Sequence, residues 1–228
     1  MCIMLYIAFF QIHKGIDMAD IFDIFKRLEQ NKTAPSTTPI THLLVGLGNP
    51  GKQYTLTRHN AGFLCMDTVC ETYHCPTDRS KFNALVGEAT IAGARVLLMR
   101  PQTYMNASGE AVAAAARFYK IEPAHIIVCS DDVSLDVGGM RVRGKGSDGG
   151  QRGLRSIIDE LGTDAFPRIR IGVGAPAPGD DHEEVIDWVI GSVPKAELKL
   201  IEETAAKAAE ACACYITNGP DQAMNRYN

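Results

Sequence analysis

No run of eighteen apolar residues occurs in the 228-residue sequence, so no segment reads as a membrane-spanning helix. The opening MCIMLYIAFFQIHKG is apolar but short, with neither a basic start nor a small-residue cleavage pattern, which argues against a signal peptide. CxxC pairs are missing. The seven cysteines (Cys2, Cys65, Cys70, Cys75, Cys129, Cys212 and Cys214) are odd in number and lie in apolar contexts. This excludes a disulfide framework or a zinc site and predicts buried thiols in a reducing compartment, the cytoplasm. There is no GxSxG elbow, and no Walker or Rossmann glycine pattern, so a serine-hydrolase or nucleotide-binding reading has no support. Excess positive charge is lacking too. With 23 Lys and Arg against 27 Asp and Glu the net charge is −4, and nothing global marks a nucleic-acid binder.

What is present is unevenly distributed. Residues 141–170 hold seven basic residues (Arg141, Arg143, Lys145, Arg152, Arg155, Arg168, Arg170) against four acidic ones, whereas residues 180–210 hold nine acidic against three basic. A basic face on an acidic chain fits a polyanion bound at one site. The 46% hydrophobic content suffices for one sizeable core, so one domain with a tail is expected. Residues 1–40 read as an extension and linker. Met18 offers an alternative start, MADIFDIFKRLEQ suggests a short amphipathic helix, and NKTAPSTTP a flexible connection.

From residue 41 onward, apolar runs alternate with helical patterns. Leu43–Val45 reads as a buried strand breaking into the turn-rich GLGNPG. Phe63, Met66, Cys70 and Tyr73 follow helical spacing and should pack on a sheet. Ala84–Thr90 and Ala94–Met99 form a hairpin through Ala92-Gly93. An alanine-rich helix covers 107–119 with Asn106 as its N-cap. His125–Cys129 is a strand ending before Ser130-Asp131-Asp132, and Gly139–Arg143 a strand with Arg141 and Arg143 on one face. GKGSDGG is a mobile glycine loop, Gly153–Leu161 a helix stopped by Gly162, and Ile169–Val173 a strand. Asp187–Ile190 reads as a short edge strand, and Pro194 opens a helix to about Thr217. The fold class predicted is α/β: one domain over residues 41–228, with a twisted, mostly parallel but mixed β-sheet flanked by helices on both faces.

Ligands of open α/β sheets bind outside the carboxyl ends of the strands. Asn49 and His59 both follow the first strand, and Asp131 follows another. A neutral imidazole takes a proton from water near neutral pH, and a carboxylate on its other nitrogen fixes the tautomer and stabilises the imidazolium. No serine or cysteine is placed as a nucleophile, so water activated by His59 is the economical reading. Chemistry alone does not choose between Asp131 and Asp132 as the supporting carboxylate.

The stretch GLGNPGKQYTLTRHNAGF resembles the signature of the bacterial peptidyl-tRNA hydrolase family, and the resemblance runs from about His42 to the C-terminus. It implies hydrolysis of the ester joining a peptide to the 3′ end of tRNA. His59 would be the base and Asp131 its support, with no metal or other cofactor. The partner would be the acceptor stem and 3′ end of peptidyl-tRNA. Separately, nothing in the sequence suggests an obligate partner surface, so a monomer is expected. Asn49 and Asn106 match amides that contact the peptide or position the water, and Asn60 belongs to the same substrate-binding set. Tyr54 and Tyr104 match rings placed beside the terminal adenosine and the peptide, and Met105 joins Tyr104 as an apolar wall. Arg143, Lys145 and Arg170 are candidates for phosphate contacts.

Three residues depart from the family pattern. Ser130 stands where many members carry histidine. Gly150-Gln151-Arg152-Gly153 stands where the family reads Gly-His-Asn-Gly, so Arg152 takes the place of a substrate-binding asparagine. An arginine can reach a phosphate or the 3′ sugar, but it lacks an acceptor. The alternative is a non-catalytic RNA-binding relative of the same fold. Joint retention of Asn49, His59, Asn106 and Asp131 argues for the enzyme.

Overall fold

The computed structural model describes residues 38–176 and 182–228. The expected extension, including the helix after Met18, lies outside the described residues except for positions 38–40. The remainder is a seven-stranded sheet in the order β2-β3-β4-β1-β5-β7-β6. Its strands are β1 (His42–Gly46), β2 (Arg79–Lys81), β3 (Ala84–Ile91), β4 (Ala94–Pro101), β5 (Ile126–Asp132), β6 (Met140–Arg143) and β7 (Arg168–Gly172). β4, β1, β5 and β7 run parallel, while β2, β3 and β6 pair antiparallel at the two edges. The expected mixed α/β fold is the one observed.

The described helices are α1 (Ala61–Thr72), α2 (Ser108–Tyr119), α3 (Arg152–Leu161), α4 (His182–Ile190), α5 (Lys195–Asn218) and α6 (Pro220–Tyr227). The central strands are apolar at successive positions because they are covered twice. Leu44, Val96, Leu98, Ile127 and Cys129 join α1, α5 and α6 in one core. Their neighbours Leu43, Val45, Leu97, Ile126 and Val128 join α2 and α3 in the other.

Four expectations need correction. β5 continues to Asp132, so Asp131 lies within the strand, opposite Ile171 of β7. The innermost residues of α1 are Ala61, Cys65, Met66 and Val69, while Phe63, Cys70 and Tyr73 are only partly buried. Asn106 does not cap α2: a single 3₁₀ turn, Met105–Ala107, precedes the helix, and Ala107 holds the N-cap position. Asp187–Ile190 is the end of helix α4 rather than an edge strand. Four residues are too few to separate a period of 2 from one of 3.6, and tertiary contacts decide the matter.

Three thiols meet in the first core. Cys65 and Cys129 lie 3.5 Å apart, and Cys129 and Cys212 3.4 Å. Their mutual hydrogen bonds and burial push all three well above 9, so they pack as small protonated groups. The described cysteines are free. No described helix is long and apolar enough to cross a membrane.

Candidate active site

A cleft of about 440 Å³ opens at the carboxyl ends of the parallel strands. Asn49 enters it from the loop after β1, Tyr104, Met105 and Asn106 from the segment after β4, and Asp131 and Asp132 from the end of β5. Gln151 and Arg152 come from the start of α3. On another side α4 contributes Val185, Ile186, Val189 and Ile190, which make an apolar wall.

His59 reaches this place because two glycines let backbone meet backbone. A Cβ on Gly62 would lie 2.4 Å from the Cys129 carbonyl oxygen and 2.5 Å from the Leu47 nitrogen, and one on Gly46 would lie 2.3 Å from the Gly62 oxygen. Real Cβ atoms do not approach so closely. Only glycine at both positions lets the first turn of α1 settle between the ends of β1 and β5. The 3₁₀ turn Arg58–Asn60 immediately before it then sets the imidazole beside the end of β5.

There the His59 Nδ1 lies 2.8 Å from Asp131 Oδ2. A carboxylate only accepts, so Nδ1 carries the hydrogen and Nε2 is the nitrogen left for the cleft. Both side chains are largely buried, at 12% and 3% exposure. Burial pulls the His59 pKa down, the charge and hydrogen bond of Asp131 push it up, and the Arg152 guanidinium pulls it down again. The balance stands above the usual 6.5. The ambiguity between the two aspartates is removed by geometry. Asp132 instead accepts from the Ser134 amide and hydroxyl at 2.8 and 2.7 Å and pairs with Arg170.

The asparagines form a second linked set. Asn60 does not face the cleft but clamps the loop behind it. Its Oδ1 accepts from the Asn49 amide at 2.8 Å and its Nδ2 donates to the Asn49 carbonyl at 3.1 Å. Asn49 Oδ1 accepts from the Met105 amide at 2.9 Å. Its Nδ2 is therefore the end left to donate into the cleft.

Of the remaining sequence candidates, Tyr104, Met105, Asn106, Arg152 and Arg170 line the cleft, whereas Tyr54, Arg143 and Lys145 do not. Lys145 is exposed, and Arg143 is half-buried with a bond to the Val142 carbonyl. Arg168 drops out of the basic face altogether. It is 2% exposed, donates to the Ser147 and Asp164 carbonyls at 2.8 and 2.9 Å, and so ties the glycine loop down.

Sequence reasoning missed three participants. Gln151 donates to Asp131 Oδ1 at 3.0 Å. Helix α4 supplies the apolar wall. Arg58, 3% exposed, stacks 3.7 Å over Trp188 and pairs with Glu197 at 2.7 Å, tying α4 and α5 to the turn that carries His59. The signals available were the place of Gln151 in the departing Gly150-Gln151-Arg152-Gly153 stretch, the adjacency of Arg58 to His59, and the lone tryptophan.

Residues 43–228 match the family model of peptidyl-tRNA hydrolase. A peptidyl-tRNA hydrolase of Clostridium botulinum is 46% identical over 187 residues, which is 82% of this chain and 96% of the relative. One of Brevibacillus brevis is 46% identical over 186 residues, 82% and 97% of the two chains. The crystal structure of peptidyl-tRNA hydrolase from Acinetobacter baumannii superposes with a TM-score of 0.77 at 36% identity, covering 85% of this chain and 97% of that one.

Proposed function

This chain belongs to the peptidyl-tRNA hydrolase family, and we propose on that premise that it cleaves the ester between a peptide and the 3′ ribose of tRNA by His59-activated water. The observation that carries the reading is the 2.8 Å contact between His59 Nδ1 and Asp131 Oδ2 at the wall of a cleft. With Nδ1 held by the carboxylate, Nε2 takes a proton from water as the water oxygen attacks the ester carbon. Asp131 steadies the imidazolium. As the tetrahedral intermediate collapses, the C–O bond to the ribose breaks and the proton passes from Nε2 to the departing 3′ oxygen. The products are a peptide carboxylate and a free tRNA end.

Each remaining group has a place in this scheme. Asn49 Nδ2 is positioned to donate to the substrate, either to the oxyanion or to the blocked amino end that distinguishes peptidyl-tRNA from aminoacyl-tRNA. An oxyanion donor is worth ~3 kcal/mol. Tyr104, Met105 and the α4 wall take the apolar parts of the peptide. Asn106 and Arg152 contact the 3′ end. Arg170, Arg143 and Lys145 lie along the acceptor stem, where phosphate contacts position the RNA without reading its sequence. Tyr54 stands outside the cleft and would meet the RNA only beyond the terminal nucleotide. The step draws on no metal or cofactor, and we place the enzyme in the cytoplasm as a monomer.

The test is hydrolysis of N-acetylaminoacyl-tRNA against the unblocked form, with His59→Ala in parallel. Wild type should cleave the blocked ester only, and the variant neither. Equal cleavage by His59→Ala removes the base from this scheme.

A further inference from the structure

Gln151 sits at the N-cap position of α3, with backbone φ −76° and ψ 112°. Its Oε1 accepts from the Leu154 amide at 2.7 Å. Glutamine is an unusual cap, since Ser, Thr, Asp and Asn do this work with fewer rotatable bonds. The other end of the amide supplies a reason. Leu154 N–H can only donate, so the oxygen of Gln151 must face it and the NH₂ group must face away. That NH₂ lies 3.0 Å from Asp131 Oδ1. Asp131 is thus held at both oxygens, by the helix cap on one side and by His59 on the other.

We propose that Gln151 is a positioning residue, which uses the N-terminus of α3 as a rigid anchor to fix the rotation of the Asp131 carboxylate and through it the tautomer of His59. The chain of bonds runs from the Leu154 amide through the Gln151 side chain and the Asp131 carboxylate to His59 Nδ1. Every link has one allowed polarity, because the backbone N–H at one end can only donate and the carboxylate, which receives a hydrogen from Gln151 and another from His59, can only accept. A second contact from Gln151 Nε2 to Met105 Sδ at 3.2 Å holds the amide plane against the cleft wall. Without the Gln151 donor, Asp131 Oδ1 has no donor among the described residues and the carboxylate can turn away from the ring.

The charged and titratable groups facing this pair among the described residues are Arg152, Asp132 with its partner Arg170, Asp148 and Tyr104. None of these bonds to Asp131 or His59, so Gln151 is the group whose loss changes the geometry of the pair.

The proposal rests on His59 being the base, so its test needs a readout independent of turnover. Gln151→Ser keeps a good helix cap but is too short to reach Asp131. The ¹⁵N NMR spectrum of the full-length protein reports which ring nitrogen of His59 carries the hydrogen. Wild type should show Nδ1–H; Gln151→Ser should shift His59 to a mixture dominated by Nε2–H, with an unchanged melting midpoint. Its kcat/KM on N-acetylaminoacyl-tRNA should fall roughly tenfold to a hundredfold, the size expected for a hydrogen bond to a charged group. Gln151→Glu keeps the shape and the cap while replacing the donor by an acceptor, and should behave the same way if the serine variant is poorly folded. A wild-type Nδ1–H signature in both variants overturns the proposal, whether or not activity falls. If wild type fails to hydrolyse the substrate, the proposed function falls, while the NMR comparison still decides the role of Gln151.

Discussion

Replacing Asp131 by asparagine keeps the shape of the site and exchanges one oxygen for NH₂, and the structure dictates which one. Gln151 is oriented by the Leu154 amide, so its NH₂ faces position 131. The new amide must turn its carbonyl toward that donor, and its NH₂ then faces His59 Nδ1. The ring can accept that hydrogen only as the Nε2–H tautomer, in which no lone pair is left for water. In catalytic triads this inversion costs up to ~10⁴ in rate, or about 5.4 kcal/mol at 1.36 kcal/mol per tenfold. Asp131→Ala leaves the ring free to choose, so Asp131→Asn should be the slower of the two. The same logic gives a rescue. In Asp131→Asn/Gln151→Glu one carboxylate oxygen still caps α3 and the other accepts from the new amide, whose carbonyl turns back to Nδ1. About one to two decades of rate should return, on the scale of a charge-assisted hydrogen bond. The assay is single-turnover release of N-acetyl amino acid from tRNA. An Asp131→Asn enzyme within tenfold of wild type, or a double variant no faster than the single one, refutes the reasoning.

The pH dependence has a defined sign. His59 must be neutral to act, and its pKa stands above 6.5, so the acid limb of kcat/KM should lie above 6.5; in Asp131→Ala only the lowering influences of burial and Arg152 remain, and the limb should fall below that value. Arg152→Asn removes a group that pulls His59 down. Its limb should move further up, and the slope of log KM against log salt should shrink by about 0.7 to 1 if the guanidinium meets a phosphate. Gly62→Ala drives a methyl group to 2.4–2.6 Å from the backbone of Cys129 and Leu47. Because no side chain can yield there, a loss of about 3 kcal/mol or more is expected in urea unfolding.

Much of the fold was legible along the chain because its elements carry local signals. Doubly covered strands read as continuous apolar runs, Ala92-Gly93 marked the hairpin, and Gly162 marked the end of α3. The site was legible as a set of names, since Asn49, His59 and Asn106 follow strands, Asp131 lies at the end of one, and all four carry a family signature. The misreadings fell where local signals are short or double-edged. Asn106 has the chemistry of a cap and is used elsewhere, and Arg168 counts as surface charge in the sequence but spends its guanidinium on buried carbonyls. Trp188 reads locally as part of a strand, yet it lies in helix α4, where the Arg58 guanidinium stacks on it.

By itself, then, the order of residues determined a mixed α/β domain and singled out an imidazole and an aspartate near the ends of strands as the pair that carries the chemistry. Only the tertiary structure decided that Asp131 rather than Asp132 meets the ring, that Gln151 holds its other oxygen, and that α4 closes the cleft. Strand and helix patterns repeat every two to four residues and can be read locally. The polarity of a hydrogen bond between positions 72 or 20 residues apart exists only once the sheet has brought the ends of its strands together.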